Sequence, residues 1–210
     1  MGFLMAIWQM AGILFGAVAL YGALHSALAS QSAKAWAARR LGLRGGAYRL
    51  AFNGLATVLL LPVLALPVRY PDCLLYRLPW PWAALAVTVQ ILGMLLVLDA
   101  VRRTGVWAFL GLRDPEGDRP FTAAGPYRWM RHPIYVGSLL FLWASPLMTR
   151  NQALLYAALS LYLVVGERLE ERRLVREWGA VYRDYRRRVP TWTPWLTLMG
   201  VAMTWMLGQM

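Results

Sequence analysis

One cysteine, Cys73, and one lysine, Lys34, occur in 210 residues. The single cysteine excludes an intrachain disulfide and a cysteine metal cluster, and the single lysine leaves arginine carrying nearly all the positive charge. Histidine is almost as scarce, with His25 and His132 alone, so no metal site of familiar Cys/His spacing is encoded and no metal is expected. No G-x-G occurs anywhere, which excludes the glycine-rich fingerprint of a soluble dinucleotide fold, and no G-x-S-x-G elbow supplies a serine nucleophile. Charge itself is sparse. Only 15% of residues are charged, against 59% hydrophobic and a mean hydropathy of +0.45, too apolar for an ordinary soluble domain.

The chain therefore reads as an all-α, polytopic membrane protein forming one integral-membrane domain over residues 1–210. Its net charge of +12 sits in arginines placed between apolar runs. That placement suits lipid headgroups and membrane orientation, and nucleic acid is not an expected partner. Phe3 to Ala29 is long enough to cross about 30 Å of hydrocarbon and lacks the basic start and cleavage site of a signal peptide, so a retained helix is expected. A basic loop follows, from Ser30 to Arg49. The second span runs from Ala47 to Val68 with Pro62 expected to bend it, and the third from Trp82 to Val101. Arg69 to Pro81 is a proline-punctuated turn, and Thr104 to Ala124, broken by Gly111, Pro115, Gly117 and Pro120, is a candidate lid.

Ile134 to Met148 and Gln152 to Gly166 are two apolar runs parted by Thr149-Arg150-Asn151, which predicts a helical hairpin and about five membrane-embedded helices in all. After it comes a charged amphipathic helix, Arg168 to Arg188. Its spacing puts Glu167, Glu170, Leu174, Trp178, Val181 and Tyr185 on one face and Arg172, Arg176, Arg183 and Arg187 on another. Trp192 to Met210 adds a last apolar stretch. Nineteen Arg or Lys fall on one side of these spans and three, Arg69, Arg77 and Arg150, on the other. The positive-inside rule then sets the N-terminus outside and the charged helix in the cytoplasm, as for a multi-pass protein of the inner (plasma) membrane.

The chemistry concentrates between Gly125 and Gly137, where Arg128, Arg131 and His132 precede Pro133 and a helix starting near Ile134. Cationic side chains beside a helix start can receive a carboxylate or phosphate, and Tyr127, Trp129 and Tyr135 can enclose an aromatic or cationic group. The same residue types also anchor ordinary membrane helices at the interface.

The stretch Arg131-His132-Pro133-Ile134-Tyr135-Val136-Gly137 resembles the R-H-P-x-Y-x-G signature of integral-membrane methyltransferases related to isoprenylcysteine carboxyl methyltransferase. That group includes methanethiol S-methyltransferases and NnrU-type proteins. A second matching block holds Glu170-Glu171, Leu174, Trp178-Gly179, Tyr182, Tyr185 and Val189-Pro190, so the resemblance rests on blocks at 119–137 and 167–190. It implies S-adenosyl-L-methionine as cofactor, bound by Arg119, Pro120, Phe121, Thr122, Tyr127, His132, Pro133, Ile134, Tyr135 and Glu170. Glu167 and Glu171 are the nearby carboxylates expected to serve catalysis. Prenylcysteine-modifying members carry a substrate arginine four residues before the glutamate, where this chain has Gly166. A small thiol or lipophilic acceptor is thus expected, with phospholipid or carboxyl methylation, or a non-catalytic NnrU-like role, as alternatives. Membrane lipids are expected partners, and a lipophilic acceptor is expected to enter between the third helix and the hairpin.

Overall fold

The computed structural model describes residues 2–113 and 121–191, with only the backbone of residues 2–7. Arg119, Pro120 and the apolar stretch 192–210 lie outside the described residues. The described chain is mostly helical: α1 (Gly2–Ala29), α2 (Gln31–Arg40), α3 (Gly45–Ala65), α4 (Trp82–Thr104), α5 (Val106–Leu110), α6 (Pro133–Trp143) and α7 (Arg150–Arg188). Three helical stretches, Trp8–Ala29, Gly45–Arg69 and Trp82–Thr104, are long and apolar enough to cross a membrane. Large apolar side chains such as Leu61, Ile91, Leu95 and Leu98 are exposed on them, a belt that a water-soluble protein does not leave bare.

Ser30 ends the first helix and starts the second, its hydroxyl accepting from the Ala33 amide at 3.1 Å. Pro62 lies inside α3, which continues past it and closes in a 3₁₀ turn over Leu66–Arg69. The α1–α3–α7 core is Met10, Leu14, Val18, Tyr21, Val63, Leu155 and Ala158. α4 and α6 meet at two glycines. A Cβ on Gly137 would stand 2.5 Å from the Gly93 carbonyl oxygen, and one on Gly93 2.7 Å from that of Gly137, so only hydrogen lets these backbones approach.

The structure departs from the expected all-helical hairpin. α6 stops at Trp143, and Leu147–Thr149 (β2) pairs antiparallel with Leu74–Arg77 (β1), inside what reads as a mere turn. Thr149 then caps α7 in a reciprocal box with Gln152. Asn151, fully buried, donates to the carbonyls of Pro67, Tyr70 and Pro71 and ties α7 to the end of α3. No break separates the apolar run from the charged segment, because one helix of 39 residues contains both.

That helix is interrupted once, at Gly179 (φ 54, ψ −120). The interruption resets the face. Val181, expected inward, is exposed, while Tyr182 and Tyr185 are buried. An unbroken 100° step would carry position 181 inward from Trp178, and the left-handed glycine rotates the last turns so that 182 takes its place.

α3 also steadies α5. Arg49 donates to the Ala108 carbonyl at 3.0 Å, and Asn53 to those of Phe109 and Leu110 at 2.9 and 3.1 Å. Part of the candidate lid is therefore a short helix fixed to its neighbour.

Candidate active site

α5, the start of α6, the Gly125–Arg128 turn and the second half of α7 surround a cavity of about 720 Å³. Small-molecule sites fall within about 300–1,000 Å³. Of the ten residues expected to bind a cofactor, Phe121, Thr122, Tyr127, His132, Pro133, Ile134, Tyr135 and Glu170 all line it, and the other two are those outside the described residues. Trp178, Tyr182 and Tyr185 complete an aromatic wall with Phe121, whose ring centroid lies 4.9 Å from that of Tyr185 and 5.8 Å from that of Trp178. Trp129 is exposed and takes no part in that wall. Helical spacing already puts Trp178 and Tyr185 on one face, and Tyr182, matched in the second block but off that face, is brought to it by the register change at Gly179.

Residues at the end of α4 also line the cavity, although their polarity reads simply as an interfacial helix end. Arg103 is held by Asp99 at 2.8 Å, and its side chain fills the space that a Cβ on Gly125 (φ 62) would need. The glycine of the Gly-Pro-Tyr turn thus seats the first motif against α4.

The two motif blocks are joined through Glu171. Its Oε1 accepts from Arg131 Nε (2.8 Å), His132 Nε2 (2.9 Å) and the Tyr182 hydroxyl (2.7 Å), and Arg186 stands 3.7 Å from Oε2. Burial alone would raise the pKa of this carboxyl. The hydrogen bonds from His132, Tyr182 and Arg131 and the charge of Arg131 outweigh it and hold it down to about 2. An ionised carboxylate has no proton to give, so Nε2 of His132 carries the hydrogen of that contact. Arg131 also donates to the carbonyls of Arg186 and Val189, its amide to that of Pro190 at 3.0 Å, and Tyr185 to that of Tyr127 at 2.7 Å. The C-terminal block is laced to the first by backbone acceptors as well as by charge.

Glu167 and Glu171, the expected catalytic carboxylates, are both buried and do not line the cavity. Glu167 faces His132 Nε2 at 3.6 Å. Glu170 does line the cavity, 3.7 Å from His132 Nδ1, as does Tyr135. The Tyr135 hydroxyl lies 3.6 Å from the place a Cβ on Gly166 would occupy, so a tyrosine stands over the position at which the resemblance implies a substrate arginine in prenylcysteine-modifying members. Burial, with the nearby Glu170 charge, pushes the Tyr127 phenol up to about 12.

His132, Glu167 and Glu171 bring donor atoms within 4.8 Å of one another, a convergence that a search for Cys/His spacing does not find. Arg131 already occupies the cation's place on Glu171 Oε1, so this donor set is matched to a guanidinium rather than a metal ion.

The end of α4, one of three long apolar helices, opens on the cavity closed by these two blocks, and residues 82–180 match the phospholipid methyltransferase family. Methanethiol S-methyltransferase 1 of Bradyrhizobium diazoefficiens is 31% identical over 194 residues, 85% of this chain and 65% of its own length. Methanethiol S-methyltransferase 2 of the same organism is 31% identical over 84% of this chain and 70% of its own, and the Mycobacterium tuberculosis methanethiol S-methyltransferase 31% over 84% and 75%. The chain belongs to the methyltransferase family that these relatives represent. No solved structure matches it.

Proposed function

We propose that this protein is an S-adenosyl-L-methionine-dependent methyltransferase of the inner membrane, one integral domain with five membrane-embedded helices and its site on the cytoplasmic side. The observation that carries the reading is that eight residues matched by motif spacing line one cavity of suitable size and chemistry. Its aromatic wall suits a purine, Arg103 and Arg131 suit a carboxylate, and Glu170 suits a cationic centre. When bound, the cofactor supplies a methyl group on a sulfonium, open to in-line displacement.

The protein's own task is alignment and exclusion of water more than covalent help. Tyr135 and Glu170 orient one wall, and Phe121, Trp178, Tyr182 and Tyr185 dry the other. Glu171 and Glu167 act through His132, which they hold in one orientation under the cavity. A small thiol is the best acceptor, as for the methanethiol S-methyltransferase relatives, because a thiol with a pKa of about 8.5 to 10 keeps a small thiolate fraction at neutral pH without a dedicated base. Its proton leaves to solvent through the cavity mouth. The family match at 82–180 supports a phospholipid amine as the second acceptor to test.

An apolar cavity of about 300 Å³ lies among α4, α6 and α7, lined by Met94, Val97, Phe141 and Leu163. It stands where a lipophilic acceptor is expected to enter, although it shares no lining residue with the larger cavity. Calorimetric titration with S-adenosylhomocysteine and an assay offering methanethiol, longer alkyl thiols and phosphatidylethanolamine with labelled donor test the proposal. Heat of binding and labelled thioether are expected. Label only in the phospholipid would replace the acceptor, and no heat would favour a non-catalytic NnrU-like role.

A further inference from the structure

The two ring nitrogens of His132 have different surroundings, and only one is engaged. Nε2 carries a hydrogen and donates it to Glu171 at 2.9 Å, with a Glu167 oxygen 3.6 Å away. A neutral imidazole protonated at Nε2 leaves Nδ1 as a lone-pair acceptor. That nitrogen makes no hydrogen bond among the described residues, and it does not cap α6 although His132 stands at the cap position of the helix. It faces Glu170 Oε2 at 3.7 Å, while Arg173 takes the other oxygen, Oε1, at 3.5 Å. Two acceptors turned toward each other repel unless a proton comes between them. Both residues line the larger cavity, so a molecule bound there can supply that proton.

We propose that Nδ1 of His132, facing Glu170 in the cavity, is the base that takes the proton of the acceptor thiol, an inference that rests on the thiol-methyltransferase reading. In the balanced step the thiol S–H bond breaks, its proton passing to Nδ1 and its electron pair staying on sulfur. That pair forms the bond to the methyl carbon, and the electrons of the bond from methyl to sulfonium stay on the donor sulfur. One positive charge leaves the donor and one appears on the imidazole, so Glu170 keeps a cationic neighbour. The new charge lies among Glu167, Glu170 and Glu171, opposed in part by Arg131, Arg173 and Arg186 that pair with those carboxylates. The Tyr135 ring lies 5.4 Å from the imidazole, and the Tyr182 hydroxyl is bonded to Glu171. The proton passes to solvent at the cavity mouth when the products leave. A thiol with a pKa near 10 is ionised in only about one molecule in a thousand at neutral pH, so a base within the complex can raise the rate about 100-fold or more.

The chain has only two histidines, so the nitrogen resonances of its imidazoles are assigned by comparison with His25→Gln. In the full chain in detergent, with S-adenosylmethionine bound at neutral pH, His132 Nδ1 is expected to give the signal of an unprotonated nitrogen and Nε2 that of a protonated one. The reverse tautomer, or a proton on both nitrogens, overturns the proposal. A kinetic arm compares ethanethiol with trifluoroethanethiol, similar in size and a stronger acid, at saturating donor. His132→Gln keeps an amide that can donate to Glu171 but has no basic nitrogen. It is expected to lower kcat/KM for ethanethiol by about 100-fold or more, and for trifluoroethanethiol by about tenfold at most. An equal loss for both thiols overturns the base and leaves His132 a positioning residue. Wild-type protein that binds S-adenosylhomocysteine but methylates neither thiol overturns the acceptor reading, and this inference with it. If the variant fails to bind donor, the nitrogen spectrum of the wild type decides.

Discussion

His132 Nε2 lies 2.9 Å from Glu171 Oε1 across 39 residues of sequence, and the same oxygen accepts from Arg131 and Tyr182. One carboxylate thus holds the first motif block, the second block and the imidazole beneath the cavity. Its removal leaves a buried guanidinium without its ionic partner, which costs on the order of 3–5 kcal/mol. Glu171→Ala is expected to lower thermal stability in detergent by that amount, and Glu171→Gln by less. A melting temperature equal to that of the wild type in both would show the network to be incidental.

Acid should act through the same group. The Glu171 carboxyl is depressed to about 2 in the folded chain, so its contribution is fully present above its unfolded pKa of about 4.5. It is lost as pH falls from there through about 2. Melting curves between pH 7 and pH 3 should show stability falling below about pH 4.5, and the fall should be shallower in Glu171→Gln.

Glu170 should matter for ligand rather than for fold, being the carboxylate that lines the cavity and only partly buried. Glu170→Gln is expected to weaken binding of S-adenosylmethionine by roughly 1.5–3 kcal/mol, the worth of a charge-assisted contact, with an unchanged melting temperature. Calorimetry reads the first and a thermal melt the second.

At Gly179 no neighbouring atom lies within 4 Å of a would-be Cβ, yet its φ of 54 with ψ of −120 is one that other residues resist. Gly179→Ala should straighten the end of α7 and turn Tyr182 away from Glu171. The expected result is about tenfold weaker S-adenosylhomocysteine binding, through backbone geometry rather than crowding. Gly137→Ala fails for the opposite reason, since its methyl would strike the Gly93 carbonyl and Val97, and it should destabilise the chain by roughly 1–3 kcal/mol.

The three apolar spans are legible within a few residues, because each is a long run bounded by polar or turn-forming residues. The continuity of α7 is not, since hydropathy changes sharply at Glu167 while nothing there opposes helix. The β1–β2 ribbon escapes notice for a different reason: strands of three and four residues among prolines carry no alternation long enough to read. Residues of the R-H-P block announce themselves by spacing. Arg103 and Asp99 do not, because their part depends on the turn at Gly125 arriving from outside their own helix.

The unbroken first part of α7 has a mechanical meaning. From Arg150 to Trp178 it is a rod about 43 Å long, at 1.5 Å per residue, anchored at one end by Asn151 to the loop after α3 and reaching the 720 Å³ cavity at the other. Between the β1–β2 ribbon and the residues Glu170 and Trp178 the helix has no break at which a change of direction could occur. The first joint along the rod is Gly179, past both residues. The loop after α3 and the larger cavity are therefore the two ends of one continuous stretch of helix, and the glycine lies just past the second.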